Sequence, residues 1–587
     1  VALAKAAFWV IPPSSFCFSF AGIGLHVGSV GFAVVELRAA GATLADEFQV
    51  GHANGSVGFV FPEKSINIRA MLGLNRRYHL MLRFSITLLF FCSLSPLFSN
   101  EKPNIIVIMA DDLGYGDIGC NGATALKTPH IDKLAAEGVR FTNGYCSAST
   151  CTPTRFSLLT GTYAFRQKNT GIAPPNGPAI IRPGTETLAS ILKKAGYATA
   201  VIGKWHLGLG DKAPEWNGEL KPGPLEIGFD HCHLLPTTND RVPQVYVRDH
   251  RVLNLDPKDP LWVGNEAPPT HQPTGITHRS TLKMDWSHGH NNTIHNGISR
   301  IGFYTGGMAA RFRDEDLGDE WVRRSNEWIA AQKDGPFFLY FASHDIHVPR
   351  MPHERFQGST KLGFRGDSIV EFDWCVGELM KTLDHYKLAE KTLIVLCSDN
   401  GPVLDDGYQD GAVEKLGNHE PAGPLSGGKY SVLEGGTRTP FITRWKGRIK
   451  PGVSDEVVCT IDLAASVAAL TATALSREAC LDSLNILPAL LGESGAKGRD
   501  HLLQQDNSGT NFGLRMGDWK LVRMKNKGKS QAKVSSKNRI DESGLHRLYH
   551  LPNDAGETKD LSAEQPERLK EMIAKLDEVI AASRTRL

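Results

Sequence analysis

Asn104-Ile105-Ile106-Val107-Ile108-Met109-Ala110 is a near-continuous apolar run, the pattern of a β-strand covered on both faces, since a strand with one wet face alternates. It ends in Asp111-Asp112. Three further runs repeat the arrangement: Ala198 to Ile202 leads into Lys204 and His206, Phe337 to Ala342 into His344 and His347, and Thr392 to Ser398 into Asp399-Asn400. Amphipathic stretches lie between them. Over 365–388, for example, Ile369, Phe372, Val376, Leu379, Met380 and Leu383 fall on one helical face. Strands alternating with helices predict an α/β domain with a large, mostly parallel sheet flanked by helices. In such sheets functional groups gather beyond the carboxyl ends of the strands. One histidine or aspartate at a strand end reads as ordinary solvated loop, whereas four polar clusters on the same edge read as a site.

The chain has 587 residues, 22% of them charged, and a formal net charge of +2. That balance excludes a nucleic-acid or polyanion footprint carried by bulk charge. From Leu82 to Ser99 one arginine is followed by the apolar run 86–91 and then by small and polar residues, the three-part layout of a secretory signal peptide with too short an apolar part to span a bilayer. We therefore expect residues 81–100 to act as a signal peptide, the protein to be exported to the periplasm or secreted, and no stable membrane span. Residues 1–80, with no methionine before Met71 and no strand rhythm before Ala70, are expected to be a mis-called start or a non-domain extension. A main domain is expected over 101–497, with 208–300 a loop-rich insertion whose one apolar run of strand length is Gln244 to Val247. Residues 498–587 predict a small C-terminal antiparallel sheet (514–516, 519–522, 547–550) covered by a helix from Glu567, with the basic run 525–537 as an exposed hairpin loop. Ten cysteines, eight of them after Asn100, show no paired spacing and yield neither a disulfide framework nor a zinc site.

The stretch Cys151-Thr152-Pro153-Thr154-Arg155 precedes Phe156-Ser157-Leu158-Leu159-Thr160-Gly161. Pro153 suits the first turn of a helix, and Phe156, Leu158 and Leu159 give that helix a face to bury. A helix starting at Cys151 presents unpaired backbone N–H groups and the positive end of its dipole, which favours an anionic group beside residue 151. The plain alternative is a buried structural cysteine at a helix start. The surrounding motifs weigh against it.

Taken in order, these motifs resemble those of the arylsulfatase-like, formylglycine-dependent type I sulfatases of the alkaline phosphatase superfamily, over about residues 102 to 580. The run from Lys102 to Asp117 resembles the family's metal-binding opening, and Cys151-x-Pro-x-Arg155 its maturation signal. Gly203-Lys204-Trp205-His206-Leu207-Gly208 resembles its second signature. Ser398-Asp399-Asn400-Gly401 resembles the second metal segment, and Gly428-Lys429 with Glu434-Gly435-Gly436 the segment of a substrate-facing lysine. The resemblance implies an alkaline phosphatase-like fold and hydrolysis of sulfate monoesters. It further implies that a maturation enzyme converts Cys151 to Cα-formylglycine, whose hydrate offers one hydroxyl to attack sulfur and a second that later expels the sulfate. Asp111, Asp112, Asp399 and Asn400, with modified Cys151, would hold one divalent ion. An all-oxygen set suits Ca²⁺, with Mg²⁺ also open.

Arg155, Lys204 and Lys429 would offset charge on the sulfuryl oxygens, with Arg155 also bracing the metal-side carboxylates. His206 would be the base of the elimination step, and His347, assisted by Lys429, would protonate the leaving group. His344 reads as a strand-end hydrogen bonder, and His347 is selected because it precedes a hydrophobic-Pro pair. A polar sulfate-binding residue after Gly228-Phe229-Asp230 falls on Thr237 or Thr238. The implied substrates are sulfated carbohydrates, with aryl sulfates as test compounds. Two other readings stand beside this one. A phosphatase or phosphodiesterase of the same superfamily would use Thr150 or Thr152 and two metals, for which the visible ligands do not suffice. A non-catalytic sulfated-glycan-binding protein would keep Cys151 as a thiol.

Overall fold

The computed structural model describes residues 102–268, 272–524 and 545–586, together with the backbone of five strands between residues 16 and 59. The chain divides into two compact units, Val1–Asn100 and Glu101–Leu587. In the first, strands Phe16–Phe20, Ile23–Val27, Phe32–Ala39, Ala42–Ala53 and Ser56–Phe59 pair antiparallel in chain order. This differs from the expectation of no strand rhythm before Ala70. The sequence signal passed over is Asn54-Gly55, a dipeptide typical of hairpin sequences. The expected signal peptide at 81–100 and the basic run 525–537 lie outside the described residues.

The second unit is built on ten strands: β1 (Asn104–Ala110), β2 (Val139–Tyr145), β3 (Ala198–Lys204), β4 (His231–Leu235), β5 (Val247–Arg248), β6 (Arg251–Val252), β7 (Phe337–Ala342), β8 (Thr392–Ser398), β9 (Phe441–Arg444) and β10 (Gly452–Cys459). Their spatial order is β6-β5-β4-β3-β7-β1-β8-β9-β2-β10. Strands β4, β3, β7, β1 and β8 are parallel neighbours, and β9 runs antiparallel between β8 and β2. The sheet is thus mixed and mostly parallel, as predicted, and the four apolar runs are its adjacent central strands.

Helices cover both faces, which is why β1 carries no polar alternation. Its Ile105, Val107 and Met109 pack with Phe156, Leu158 and Leu159 of α1 (Cys151–Thr160) and with Leu188 and Leu192 of α2 (Leu188–Lys194). Its Ile106, Ile108 and Ala110 pack with Trp321 and Ile329 of α3 (Leu317–Gln332) and with Ile369, Phe372 and Leu379 of α4 (Gly363–His385). Burial of each large aliphatic side chain contributes roughly 1.5–3 kcal/mol, so the strand order is strongly specified.

The stretch 208–300 holds more sheet than expected. Of the anticipated strand Gln244 to Val247 only Val247 enters a ladder, in β5, while Val245 makes an isolated bridge to Arg311; the main addition is β4, a parallel neighbour of β3. Its sequence, His-Cys-His-Leu-Leu, hides the strand behind two histidines. His233 is nevertheless fully buried, its ring 5.2 Å from that of Tyr246 and 5.9 Å from that of Trp321. The C-terminal part is the expected antiparallel sheet under a helix, with His501–Gln505 as a strand beyond the three anticipated. Strands β11 (His501–Gln505), β12 (Phe512–Met516), β13 (Trp519–Arg523) and β14 (His546–His550) form an antiparallel sheet. Met572, Leu576 and Val579 of α5 (Pro566–Ala581) close it over Leu502, Leu514, Leu521 and Leu548. Among the described residues no helix is long and apolar enough to cross a membrane.

Candidate active site

Gly203, Ala342, Met109 and Cys397 form one row across β3, β7, β1 and β8, so the segments following these strands emerge together. The pairing of β1 with β7 continues past the strand ends, where Asp111 N–H donates to the Asp345 carbonyl at 2.8 Å and Ile346 N–H to that of Asp111 at 2.6 Å. Asp112 then takes a positive φ of 62°, a left-handed conformation that short polar residues tolerate best. The chain turns there. Asn400 Nδ2 donates to Asp112 Oδ1 at 2.7 Å, and Asp112 N–H to Asp399 Oδ1 at 3.3 Å. Asp111, Asp112, Asp399 and Asn400 are all fully buried.

Three cations face the three carboxylates. Arg155 donates to Asp399 Oδ2 from Nη2 at 2.7 Å and from Nε at 3.0 Å, and stands 3.6 Å from Asp111. Lys204 pairs with Asp111. Lys429 Nζ lies 2.9 Å from Asp112 and 2.8 Å from Asp406. The compensation is incomplete: burial first, then the charge of Asp399, pushes Asp111 up to about 8, and burial raises Asp112 as well. Asp111 Oδ1 and Asn400 Oδ1 are buried with no hydrogen-bond partner. Orphaned acceptors in a crowded all-oxygen set fit a hard divalent cation, which would satisfy those atoms and favour the ionised acids.

Cys151 opens α1 after an extended Thr150 and is 1% exposed. Its Sγ lies 3.3 Å from His206 Nδ1, while His206 Nε2 faces the Ala173 carbonyl at 3.1 Å. Burial, followed by the charge of Lys204, holds His206 well below the usual imidazole range; the ring is neutral. Arg155 sits one helical turn beyond Cys151, on the same face, which places the thiol and the Asp399 partner on one side of the helix.

The two strand-end histidines separate cleanly. A ring nitrogen of His347 lies within 4.8 Å of carboxylate oxygens of Asp111 and Asp112. Its Nδ1 is 2.6 Å from the Val348 carbonyl, so that nitrogen carries the donating proton and Nε2 is left for the site. Burial, Lys204 and Lys429 hold His347 well below the usual range. His344 instead accepts the Trp321 Nε1–H at Nδ1 (3.2 Å) and groups with Asp345 and Glu371. Burial lifts Glu371 to about 8 and Asp345 well above the carboxylate range.

Four polar side chains beside the Asp111 and Asp112 cluster, Asp240, Arg241, His290 and Asp406, carry no motif and escaped the sequence reading. Arg241 Nη1 and His290 Nε2 lie 2.7 and 3.0 Å from Asp240 Oδ2, and Asp406, besides Lys429, accepts the Tyr430 hydroxyl at 3.1 Å. Gly407 makes room for His290: a Cβ there would sit 1.8 Å from its Nδ1. The composition of the insertion pointed to this region but not to these residues. Thr237 Oγ1 donates to the Arg241 carbonyl at 2.9 Å and Thr238 Oγ1 to Asp240. Both hydroxyls thus hold the loop that presents Asp240 and Arg241.

A family model described as Sulfatase matches residues 103–473. The chain is 45% identical over 482 residues to N-acetylgalactosamine-6-O-sulfatase of Bacteroides thetaiotaomicron, covering 82% of this chain and 94% of the relative. It is 33% identical over 396 residues to human arylsulfatase A, 67% of this chain and 68% of that one. A solved structure from work on glycosaminoglycan metabolism by Bacteroides thetaiotaomicron superposes with a TM-score of 0.78 at 46% identity, covering 82% of this chain and 99% of the other. A sulfatase from Pseudoalteromonas sp. shares the fold at 23% identity and a TM-score of 0.61, over 83% and 92% of the two chains.

Proposed function

The chain belongs to the sulfatase family and is a sulfuric ester hydrolase, and from that premise we propose that it removes the 6-O-sulfate of N-acetylgalactosamine units in sulfated carbohydrates. The sugar assignment is supported by the 45% identity to the Bacteroides thetaiotaomicron enzyme of that name. The chemistry rests on the 3.3 Å approach of Cys151 to His206 beside a buried all-oxygen cluster. We further propose that Cys151 works as Cα-formylglycine after a maturation enzyme has acted on it, and that the protein acts outside the cytoplasm, as the layout of 81–100 suggests.

Asp111, Asp112, Asp399 and Asn400 would hold a calcium-sized ion, which when bound draws charge from a sulfate oxygen and makes the sulfur more electrophilic. Formylglycine at position 151 would supply the paired hydroxyls. His206, neutral and adjacent, takes the proton of the hydroxyl that expels sulfate. Lys204 and Lys429 offset negative charge on the sulfuryl oxygens, while Arg155, committed to Asp399, braces the acidic side of the site. The His347 ring is neutral when the site is free, but Asp240 already favours its charged form. An arriving sulfate adds to that bias, so Nε2 takes up a proton from water and passes it to the departing sugar oxygen. Asp240, Arg241 and His290 present a carboxylate, a guanidinium and an imidazole to the hydroxyls of the sugar ring.

Matured protein should be assayed on N-acetylgalactosamine 6-sulfate, its 4-sulfate isomer, N-acetylglucosamine 6-sulfate and nitrophenyl sulfate. The first should give the highest kcat/KM among the sugars. Preference for the 4-sulfate or for the gluco sugar would overturn the substrate assignment.

A further inference from the structure

Lys429 lies on a loop that the rest of the catalytic domain does not hold alone. Residues 426–436 fold back on themselves: Gly435 N–H donates to the Ser426 carbonyl at 2.7 Å and Ser431 N–H to that of Gly428 at 3.0 Å. The folding is backbone against backbone, since a Cβ on Gly436 would fall 1.9 Å from the Ser431 carbonyl oxygen. The loop also packs on the C-terminal sheet, where Val432 and Leu433 join Val522 and Tyr549 in one apolar cluster.

Two tethers reach this loop from the turn after β14. Ser426 Oγ donates to the Gly556 carbonyl, and Glu434 N–H donates to Glu557 Oε2 at 2.6 Å. Glu434 N–H is the first of the short helical turn Glu434–Thr437, one of the donors a helix start leaves unpaired. The Glu434 side chain is committed elsewhere, 2.8 Å from Lys520 Nζ and 2.5 Å from the Tyr145 hydroxyl. Glu557 is 7% exposed and takes a positive φ of 51°, a conformation unusual for glutamate, in the turn that aims its carboxyl at the loop.

We propose that Glu557 is a positioning residue: by accepting Glu434 N–H it fixes the loop that keeps Lys429 buried between Asp112 and Asp406, so the C-terminal subdomain completes the active site. The inference rests on the catalytic reading of Lys429 only for its effect on turnover. Its structural part is tested separately.

Lysine labelling followed by peptide mass spectrometry on the full-length protein reads the structural part directly, because Lys429 is 2% exposed and Lys204 fully buried. In Glu557→Ala the labelling rate of Lys429 should rise about tenfold or more while that of Lys204 stays unchanged, as local opening requires. Glu557→Gln, which keeps an oxygen acceptor for Glu434 N–H, should restore the wild-type rate. Should Glu557→Ala fail to fold, Glu557→Asp, which draws the carboxyl back by one methylene, takes its place with the same expectation. An unchanged Lys429 rate, or an equal rise at Lys204, overturns the proposal. The sugar-sulfate kcat/KM of Glu557→Ala should fall in the wild-type background and not fall further in Lys429→Ala. If Lys429→Ala is fully active while labelling responds as expected, the catalytic reading of Lys429 fails and the positioning role of Glu557 stands.

Discussion

His344 and His347 share a strand end and differ in every surrounding. His344 is spent on the Trp321 indole, and burial holds it at about 3, whereas His347 faces Asp111 and Asp112 with one ring nitrogen free. An alkoxide leaves poorly unless protonated, but a nitrophenolate leaves well unaided. His347→Ala should therefore cut kcat/KM for the sugar sulfate by about 10²–10⁴-fold and that for nitrophenyl sulfate far less. His206→Ala should damage both by stalling a common step. Equal losses in His347→Ala would show that the residue orients the sulfate, and a crippled His344→Ala beside a healthy His347→Ala would reverse the assignment. The residues in this argument were legible because each follows an apolar run and so must stand on one sheet edge. Asp240, Arg241, His290 and Asp406 were not, because a loop residue's neighbours are set by turns such as that at Gly407, where only a glycine leaves space for the His290 ring.

Elements were legible where burial leaves a simple apolar pattern in the sequence. The central strands, apolar on both faces, fall where expected, and so do α4 and α5, which keep a periodic buried stripe. Strand β4 failed because its buried side chains include a histidine, whose place is fixed by partners on another element. That same edge offers a measurable consequence. Glu320 of α3 receives hydrogen bonds from Arg324 and Arg323 and lies 2.9 Å from His233 of β4. Burial alone would raise its pKa, but His233, then Arg324 and Arg323, hold it down to about 2. A carboxyl depressed in the folded state stabilises the fold above its unfolded value of 4.5 and loses that contribution as pH falls through the folded one. The difference in unfolding free energy between wild type and Glu320→Gln should be about 1–3 kcal/mol at neutral pH and should shrink steadily between pH 4.5 and 2. A gap that stays constant across that window would mean that packing, and not charge, is what the substitution removes.

The molecule as a whole is assembled around one electrostatic problem. Strands β1 and β8 deliver three buried acids to a single point, and α1, β3 and the Lys429 loop each send a cation to meet them. The C-terminal sheet in turn clamps that last loop. Despite three cations, two acceptor oxygens are left unpaired and Asp111 is pushed up to about 8 by burial and Asp399. Those acceptors are what a divalent ion would satisfy, and any ligand bound by the native state alone stabilises it by mass action. At an ion concentration about a thousand times the dissociation constant the gain is about 4 kcal/mol. Chelation should accordingly lower the thermal midpoint by several degrees and abolish turnover, and added Ca²⁺ should restore both. Asn400→Ala tests the ligand assignment better than removal of Asp399, because it deletes an orphaned acceptor without stripping the buried Arg155 of the carboxylate that takes two of its hydrogen bonds. The variant should melt near the chelated wild type and respond little to either chelator or Ca²⁺. A wild-type protein indifferent to chelation in both stability and activity would mean that Arg155, Lys204 and Lys429 already balance the site and that no ion belongs there.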